Sequence, residues 1–406
     1  MDDQPLHVAI NAQLVSFGAG YRNAGVSRYT YTLLDGLSHL DSHQRYTAFV
    51  GVSQAGTAEA ERLSAGGRVR LATAAWPTAS PPRRILWEQL ALPGELKHLG
   101  VRVFHSPVNV LPLRLPCASV VTVHDLAFER FPQHFRPSRR LYQHAFTRRS
   151  VRNATRIVAV SENTRRDLIE RFGAPEDRVK VIYPAIADDF APEPDPEVCA
   201  AFRARHGLPE RYILFLGTLE PRKNLTTLLE AYARLRALDP EAPQLVIAGG
   251  KGWYYETIFA RARALGLERA ITFAGYVVRE EQRLWYACAG LFVYPSVYEG
   301  FGLPVVEALA CGTPVLTSDT ASLPEAAGPV GCCVSPEDAE ALAHAMHGVL
   351  SDPLARQRTL VEGPRWAHRF SPRMMAQAYA EIYREAAEVA ASQSAAAGKV
   401  VTTGGC

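Results

Sequence analysis

The chain has 406 residues, 48% of them hydrophobic and 21% charged, with a formal net charge of +3. Those proportions suit an ordinary globular protein with room for two domains, and they exclude a disordered, collagen-like or disulfide-framework chain. No apolar run reaches the roughly 18 residues that a membrane-spanning helix needs, and Asp2 and Asp3 stand where a secretory signal would carry basic residues.

In chain order, β-rich runs at His7–Ile10, Tyr46–Val50, Val101–His105, Ser119–Thr122, Arg156–Val160 and Val179–Ile182 alternate with helical patterns at Ser27–Leu40, Ser138–Arg149 and Glu162–Arg171. The run Pro184–Pro196 (PAIADDFAPEPDP) holds four prolines and four acidic residues and reads as a linker. A second series follows, with strands at Tyr212–Leu216, Gln244–Ala248, Ala270–Phe273, Leu291–Tyr294 and Pro314–Thr317. Its helices are Asn224–Leu238, Tyr254–Leu265, Glu280–Ala287, Val305–Cys311 and Pro336–Leu350. Such alternation predicts an α/β fold of two doubly wound, Rossmann-like domains. The predicted domains are residues 1–190 and 191–371. A capped helix over 372–388 is expected to pack back on the first domain, and the tail 389–406 is expected to be disordered.

Seven cysteines are scattered without zinc or redox spacing, and the adjacent Cys332 and Cys333 cannot readily pair with each other. All seven read as reduced thiols of a cytosolic protein. Cys406 does not fit a prenylation signal. No Asp-x-Asp ends an apolar strand and no His/Cys cluster has ligand spacing, so no catalytic metal is expected.

The most informative stretch is Ser296–Ala310 (SVYEGFGLPVVEALA). An apolar strand runs into a Gly-Phe-Gly-Leu-Pro turn, and a helix follows. A strand, a glycine-rich turn and a helix N-terminus form a common anion site in α/β proteins. Glu299 and Glu307, eight apart, bracket the turn. A carboxylate accepts two hydrogen bonds from neighbouring hydroxyls, as a sugar ring or ribose offers, and Gly300 and Gly302 let backbone N–H groups approach a ligand. On their own, two glutamates at this spacing read better as helix-capping residues beside a turn.

A second constellation, Gly217–Asn224 (GTLEPRKN), follows an apolar strand and precedes a helix. Arg222 and Lys223 are fixed cations where cations are disfavoured unless an anion compensates. They suit a departing diphosphate; a solvated basic pair is the plainer alternative. His124-Asp125 ends the strand Ser119–Val123, and His124 is a competent hydrogen-bond donor to a sugar oxygen near neutral pH. The loop Gly18–Arg28 lacks Gly-x-Gly-x-x-Gly spacing, because Asn23 stands where the third glycine belongs, which argues against dinucleotide binding. Gly18 and Gly20 also fit a surface loop. Gly249–Gly252 either approaches a nucleotide or turns the chain, and Tyr276 either stacks on a base or is a surface aromatic.

The string EGFGLPVVEALACGTPV resembles the Glu-x7-Glu motif of the retaining GT-B glycosyltransferases of family four, the group 1 glycosyl transferases. The resemblance extends from Ile10 to about Tyr383 through VTVHDLAF (Val121–Phe128), IVAVSENTRRDL (Ile157–Leu168), VIYPAI (Val181–Ile186), FLGTLEPRKNL (Phe215–Leu225), LVIAGGKGW (Leu245–Trp253) and FAGYV (Phe273–Val277). It implies the GT-B fold, two Rossmann-like domains with an active site in the cleft between them. It implies metal-independent transfer with retention and no cofactor beyond a nucleotide-sugar substrate.

By that resemblance Arg222 and Lys223 hold the diphosphate, and Glu299 with the backbone of Gly300, Phe301, Gly302 and Leu303 holds the sugar. Glu307 holds the ribose, and Gly217 belongs to the donor loop. Gly25 lets its loop cover the donor phosphates, and backbone groups at Tyr276 and Val277 read the base. His124 positions or polarises the sugar or acceptor. The run of motifs looks most like bacterial mannosyltransferases of polysaccharide pathways, which implies GDP-mannose and a saccharide or lipid-linked acceptor. A UDP-glucose-type hexosyltransferase is the alternative. A sugar-nucleotide epimerase and a non-catalytic basic binding protein are the other classes considered.

From Arg130 to Arg171 eleven arginines face three acidic residues, with Phe131, Phe135, Leu141, Tyr142 and Phe146 between them. Such a face suits peripheral contact with an anionic membrane at the cytoplasmic side; a solvated helix face is the plainer reading. No nucleic-acid partner is expected.

Overall fold

The computed structural model describes residues 5–16, 25–54, 56–74, 76, 78, 80–193, 195–252 and 255–402. The chain divides into two units, Met1–Ala185 with Pro372–Cys406, and Ile186–Ser371.

The first unit is built on seven strands: β1 (Leu6–Ala12), β2 (Gln44–Val50), β3 (Val69–Thr73), β4 (Val103–Ser106), β5 (Ala118–Val123), β6 (Arg156–Ala159) and β7 (Val179–Val181). They form one sheet in the order β3-β2-β1-β4-β5-β6-β7, and every pairing is parallel. The interior strands are apolar almost throughout, as burial on both faces demands; β5 is buried along its whole length. The edge strand β3 (VRLAT) is mostly half-exposed and carries little apolar signal, and its pattern escapes a search for β-rich runs.

The second unit has six strands: β8 (Tyr212–Leu216), β9 (Gln244–Ala248), β10 (Ile271–Gly275), β11 (Leu291–Tyr294), β12 (Val315–Ser318) and β13 (Cys332–Val334). Their order is β10-β9-β8-β11-β12-β13, again all parallel. In both sheets the strand order reverses beside the first strand, between β1 and β4 and between β8 and β11. Loops leaving the carboxyl ends of strands at such a switch point diverge and leave a crevice.

Two expectations need correcting. The run Pro184–Pro196, expected as a linker, is tied down from Ile186: Ile186 N donates to Phe370 O at 2.9 Å, and Arg279 and Arg283 pair with Asp189 (2.6 Å) and Glu193 (2.7 Å). These ties assign the segment from Ile186 onward to the second unit. The tail expected to be disordered from Val389 is instead helical through Thr402, as part of the helix Pro372–Thr402. Alanines at 390, 391, 395, 396 and 397 favour helix without needing a core.

The helix Pro372–Thr402 belongs to the first unit and lies on the helix Val26–His39. Gly36 makes that approach possible, since a Cβ there would stand 2.5 Å from Pro372 O. Beneath it runs a buried polar chain. Tyr379 hydroxyl bonds Tyr29 hydroxyl and lies 2.6 Å from Thr122 Oγ1, which lies 2.8 Å from His105 Nε2; Tyr383 hydroxyl meets His105 Nδ1 at 2.8 Å. Each polar atom of this chain has a partner, which is what makes its burial tolerable.

Candidate functional site

The loops leaving β8 and β11 meet at the switch point of the second sheet. After β8 the chain closes one turn of 3-10 helix, Pro221–Lys223, and Asn224 enters the left-handed region at φ 57° before the helix Leu225–Leu238. Asn224 tolerates that conformation because its short amide bonds locally: Nδ2 donates to Pro336 O and Oδ1 accepts from Thr227 Oγ1. The tight turn aims Arg222 and Lys223 toward the chain leaving β11.

Glu299 receives them. Its Oε1 accepts from Lys223 Nζ at 2.5 Å, Ser296 Oγ at 2.7 Å and Tyr294 hydroxyl at 3.2 Å; its Oε2 accepts from Arg222 Nη1 at 3.1 Å. Arg222 also bonds Glu220 Oε1 through Nη2 at 2.9 Å and Tyr298 O through Nη1 at 3.0 Å. Burial by itself would raise the Glu299 carboxyl, but the charges of Arg222 and Lys223 and the donated hydrogen bonds outweigh it and hold the group down to about 2. Burial pulls Lys223 below its usual range, with Arg222 adding to the pull and Glu299 opposing it. Burial also drives the Tyr294 phenol far up, so it stays a donor.

The residues expected to hold sugar and diphosphate therefore hold each other. The anion that the two cations require near a helix start is supplied from within, by Glu299 and Glu220. Arg222 is the more accessible cation, with its side chain 21% exposed against 9% for Lys223.

The turn after Glu299 is fixed by packing. Ser322 Oγ lies within hydrogen-bond distance of both Glu299 O (2.8 Å) and Phe301 O (2.9 Å), and the Phe301 ring packs on Phe370 at 5.1 Å. Gly302 has φ 115°, and a Cβ there would stand 2.8 Å from Leu323; it leads directly into the helix Leu303–Ala310. Glu307 is buried on that helix and accepts from the Tyr286 hydroxyl at 3.0 Å. Gly217 follows β8, and a Cβ there would meet only Phe215 and Tyr294 at 3.5 Å, an ordinary contact. At the end of β10, Val277 is buried and Tyr276 is 54% exposed.

Gly249 is a requirement that the sequence did not rank. It has φ 143°, and a Cβ there would lie 1.9 Å from Gly217 O; one on Gly252 would lie 2.6 Å from Leu219 O. The Gly249–Gly252 loop therefore lies directly on the β8 loop, joined by a bridge between Leu219 and Lys251. The signal was present as Gly-Gly-Lys-Gly, but sequence does not say what such a loop approaches.

In the first unit, His124 follows β5. Its Nε2 lies 2.8 Å from Pro107 O, and since a carbonyl only accepts, Nε2 carries the proton. Burial lowers the imidazole below its usual value, more than the Pro107 contact and Asp125 raise it. The neutral ring then offers Nδ1 as an acceptor, which corrects the expectation of a hydrogen-bond donor. Tyr29 stands edge-on to this ring at 4.6 Å. Gly25, at φ 53°, opens the helix Val26–His39; Gly18, Gly20 and Asn23 lie outside the described residues. No group of three or more His, Cys, Asp or Glu side chains is placed to hold a metal among the described residues.

The arginine-rich stretch is partly neutralised. Buried Asp167 takes Arg130 at 2.5 Å and Arg171 at 3.2 Å, Glu385 takes Arg156, and Glu176 takes Arg165. Arg136, Arg139, Arg140, Arg148 and Arg152 are exposed, with Leu141 71% exposed beside them. No described helix is long and apolar enough to cross a membrane.

Comparison with known proteins gives consistent matches. The family described as "Glycosyl transferases group 1" matches residues 200–365, and "Glycosyltransferase Family 4" matches residues 23–190. The O-antigen chain mannosyltransferase B of Escherichia coli is 34% identical over 291 residues, 71% of this chain and 74% of that protein. A GDP-mannose-dependent alpha-(1-6)-phosphatidylinositol monomannoside mannosyltransferase of Mycolicibacterium smegmatis is 32% identical over 231 residues, 54% of this chain and 59% of that one. Among solved structures, sucrose-phosphate synthase of Thermosynechococcus elongatus superposes with TM-score 0.73 at 21% identity over 94% of this chain and 98% of its own. WaaG, a glycosyltransferase involved in lipopolysaccharide biosynthesis, gives 0.70 at 17% identity over 93% and 99%.

Proposed function

The chain belongs to the group 1 glycosyltransferases of GT-B fold, and from that premise we propose that it moves mannose from GDP-mannose, with retention, onto a saccharide or lipid-linked acceptor in cell-surface polysaccharide or glycolipid synthesis. The observation that carries the reading is the Glu299 carboxylate gripped by Arg222 and Lys223 at the switch point of the second sheet. The sugar and the base rest on the named mannosyltransferase relatives.

The cluster suits departure of a nucleoside diphosphate from the same face that the acceptor attacks. Charge develops on the leaving phosphate, and cations already fixed and largely desolvated stabilise it without reorganising. Arg222 is the first to turn to the phosphate, because it is the more exposed cation. Lys223 stays on Glu299 and keeps that carboxylate ionised, ready to accept from sugar hydroxyls. Gly300, Phe301, Gly302 and Leu303 bring backbone N–H groups and a helix N-terminus to the same place. Glu307 takes the ribose hydroxyls, exchanging its bond from Tyr286. Tyr276 and Val277 lie against the base and Gly217 against the phosphates. Nδ1 of His124 accepts from a hydroxyl. No metal or cofactor is assigned a role. The exposed arginines from Arg136 to Arg152, with Leu141, contact anionic lipid at the cytoplasmic face.

The test is turnover of a panel of GDP- and UDP-sugars, read as nucleoside diphosphate release, together with co-sedimentation on phosphatidylglycerol vesicles. GDP-mannose turnover lost in Glu299→Ala and Arg222→Ala is the expected result. Turnover of UDP-glucose in preference to GDP-mannose overturns the donor. Vesicle binding with no turnover of any nucleotide sugar overturns the reading as a whole.

A further inference from the structure

At the opposite edge of the second sheet, the Cys288 thiol points at Cys199 Sγ from 2.7 Å. Both cysteines are free thiols. Cys199 lies on the helix Pro196–His206, and Cys288 follows the helix Gln282–Ala287. The sulfurs need to close by only about 0.7 Å to reach the 2.05 Å of a disulfide. They line a cavity of about 630 Å³ together with Arg203, Gly290, Pro314 and Arg356. Gly290 and Pro314 precede β11 and β12, so the cavity opens at the amino ends of these strands, and the carboxyl end of β11 leads to Glu299. The transfer reaction has no use for it.

Arg356 bonds Ala289 O at 2.6 Å and also Ala287 O, which fixes the backbone on both sides of Cys288. Burial pushes the Cys288 thiol well up, while Arg203 and Arg356 act in the opposite direction. Cys199 is the more exposed of the pair and meets a small oxidant first. The remaining neighbouring pair is different: Cys332 and Cys333 are successive residues of β13 and project to opposite faces.

We propose that Cys199 and Cys288 form a reversible dithiol–disulfide modification site that takes hydrogen peroxide as oxidant and a small thiol as reductant. The Cys199 sulfur attacks the peroxide, the O–O bond breaks, and a sulfenic acid and one water form. The Cys288 sulfur then attacks the sulfenic sulfur, the S–O bond breaks, its proton leaves with the hydroxyl as a second water, and the S–S bond forms. Two thiols lose two electrons and one peroxide gains them. A thiol reductant reverses the bond by exchange through a mixed disulfide. Closure tethers the helix that carries Tyr286, the donor to Glu307, to the first helix of the second unit, across 89 residues of sequence.

The test treats the full-length reduced protein with hydrogen peroxide, reads intact mass and thermal midpoint, and then blocks remaining thiols with N-ethylmaleimide for the peptide map. The expected result is loss of the mass of two hydrogens, a cross-linked peptide pair containing Cys199 and Cys288, and a thermal midpoint higher by a few degrees. Dithiothreitol reverses all three, and Cys199→Ser and Cys288→Ser abolish them. Full alkylation of both cysteines after peroxide, a cross-link between other cysteines, or the same mass loss in Cys199→Ser overturns the proposal. Oxygen gained without a cross-link overturns it equally.

Discussion

Lys223 Nζ lies 2.5 Å from Glu299 Oε1, a bond across 76 residues of sequence that joins the loops leaving two adjacent parallel strands. It is nearly buried, with 9% and 11% of the two side chains exposed. A buried ion pair is not a cheap way to stabilise a fold, because desolvation offsets most of its attraction. Its value here lies in order: the pair fixes the carboxylate and both cations before any ligand arrives.

Acid titration exposes the pair directly. Glu299 is held at about 2 against an ordinary 4.5. A carboxyl with a depressed folded value adds stability above its unfolded value and loses it as pH falls through the folded one. Between about pH 4.5 and pH 2 the urea midpoint of the native protein is therefore expected to fall more steeply than that of Glu299→Gln, whose amide does not titrate. Parallel curves for the two proteins would refute the pairing.

The two cations are expected to separate stability from turnover. Lys223→Ala removes the more buried of the two cations paired with Glu299 and is expected to cost about 3–5 kcal/mol. Arg222→Ala removes a more exposed partner and is expected to cost about 1 kcal/mol or less, while slowing nucleoside diphosphate release by on the order of 100-fold. Urea unfolding and steady-state release measured on both variants check this, and a reversed ranking in stability would count against the geometry.

Two glycines with positive φ are expected to differ sharply. Gly25→Ala meets nothing within 4 Å and suffers only its positive φ, a cost of about 1–2 kcal/mol. Gly249→Ala drives a Cβ to 1.9 Å from Gly217 O, so the β8 loop must move. The expected outcome is a loss well beyond about 3 kcal/mol with turnover abolished. Differential scanning fluorimetry on the two variants distinguishes the cases.

On the first unit, Tyr379→Phe removes the hydroxyl shared by Tyr29 and Thr122 and is expected to destabilise by about 1–3 kcal/mol. Truncation after Ala390 is expected to change the thermal midpoint little, because among the residues whose burial is described those buried on the last helix end at Ala387. A large loss on truncation would show that the last turns carry packing of their own.

Much of this was legible in the sequence. Interior strands such as Tyr212–Leu216, Gln244–Ala248 and Leu291–Tyr294 fall where their apolar runs predict, because burial on both faces leaves a continuous signal. The edge strands Val69–Thr73 and Cys332–Val334 are short and half-exposed and leave almost none. The alternation of strands and helices predicted the α/β class, and the motifs around Glu299, Glu307 and the Arg222-Lys223 pair named candidates for a site. Sequence could not say that Glu299 binds those cations itself, that Nε2 of His124 is already committed to Pro107, or that Gly249 rests on Gly217. Local pattern reports which face of an element is buried and which turns are allowed; it carries no record of which loops a sheet brings side by side. The parallel order β10-β9-β8-β11-β12-β13 set the β8 and β11 loops next to each other, and only that placement turned two glutamates and two cations into one charged cluster.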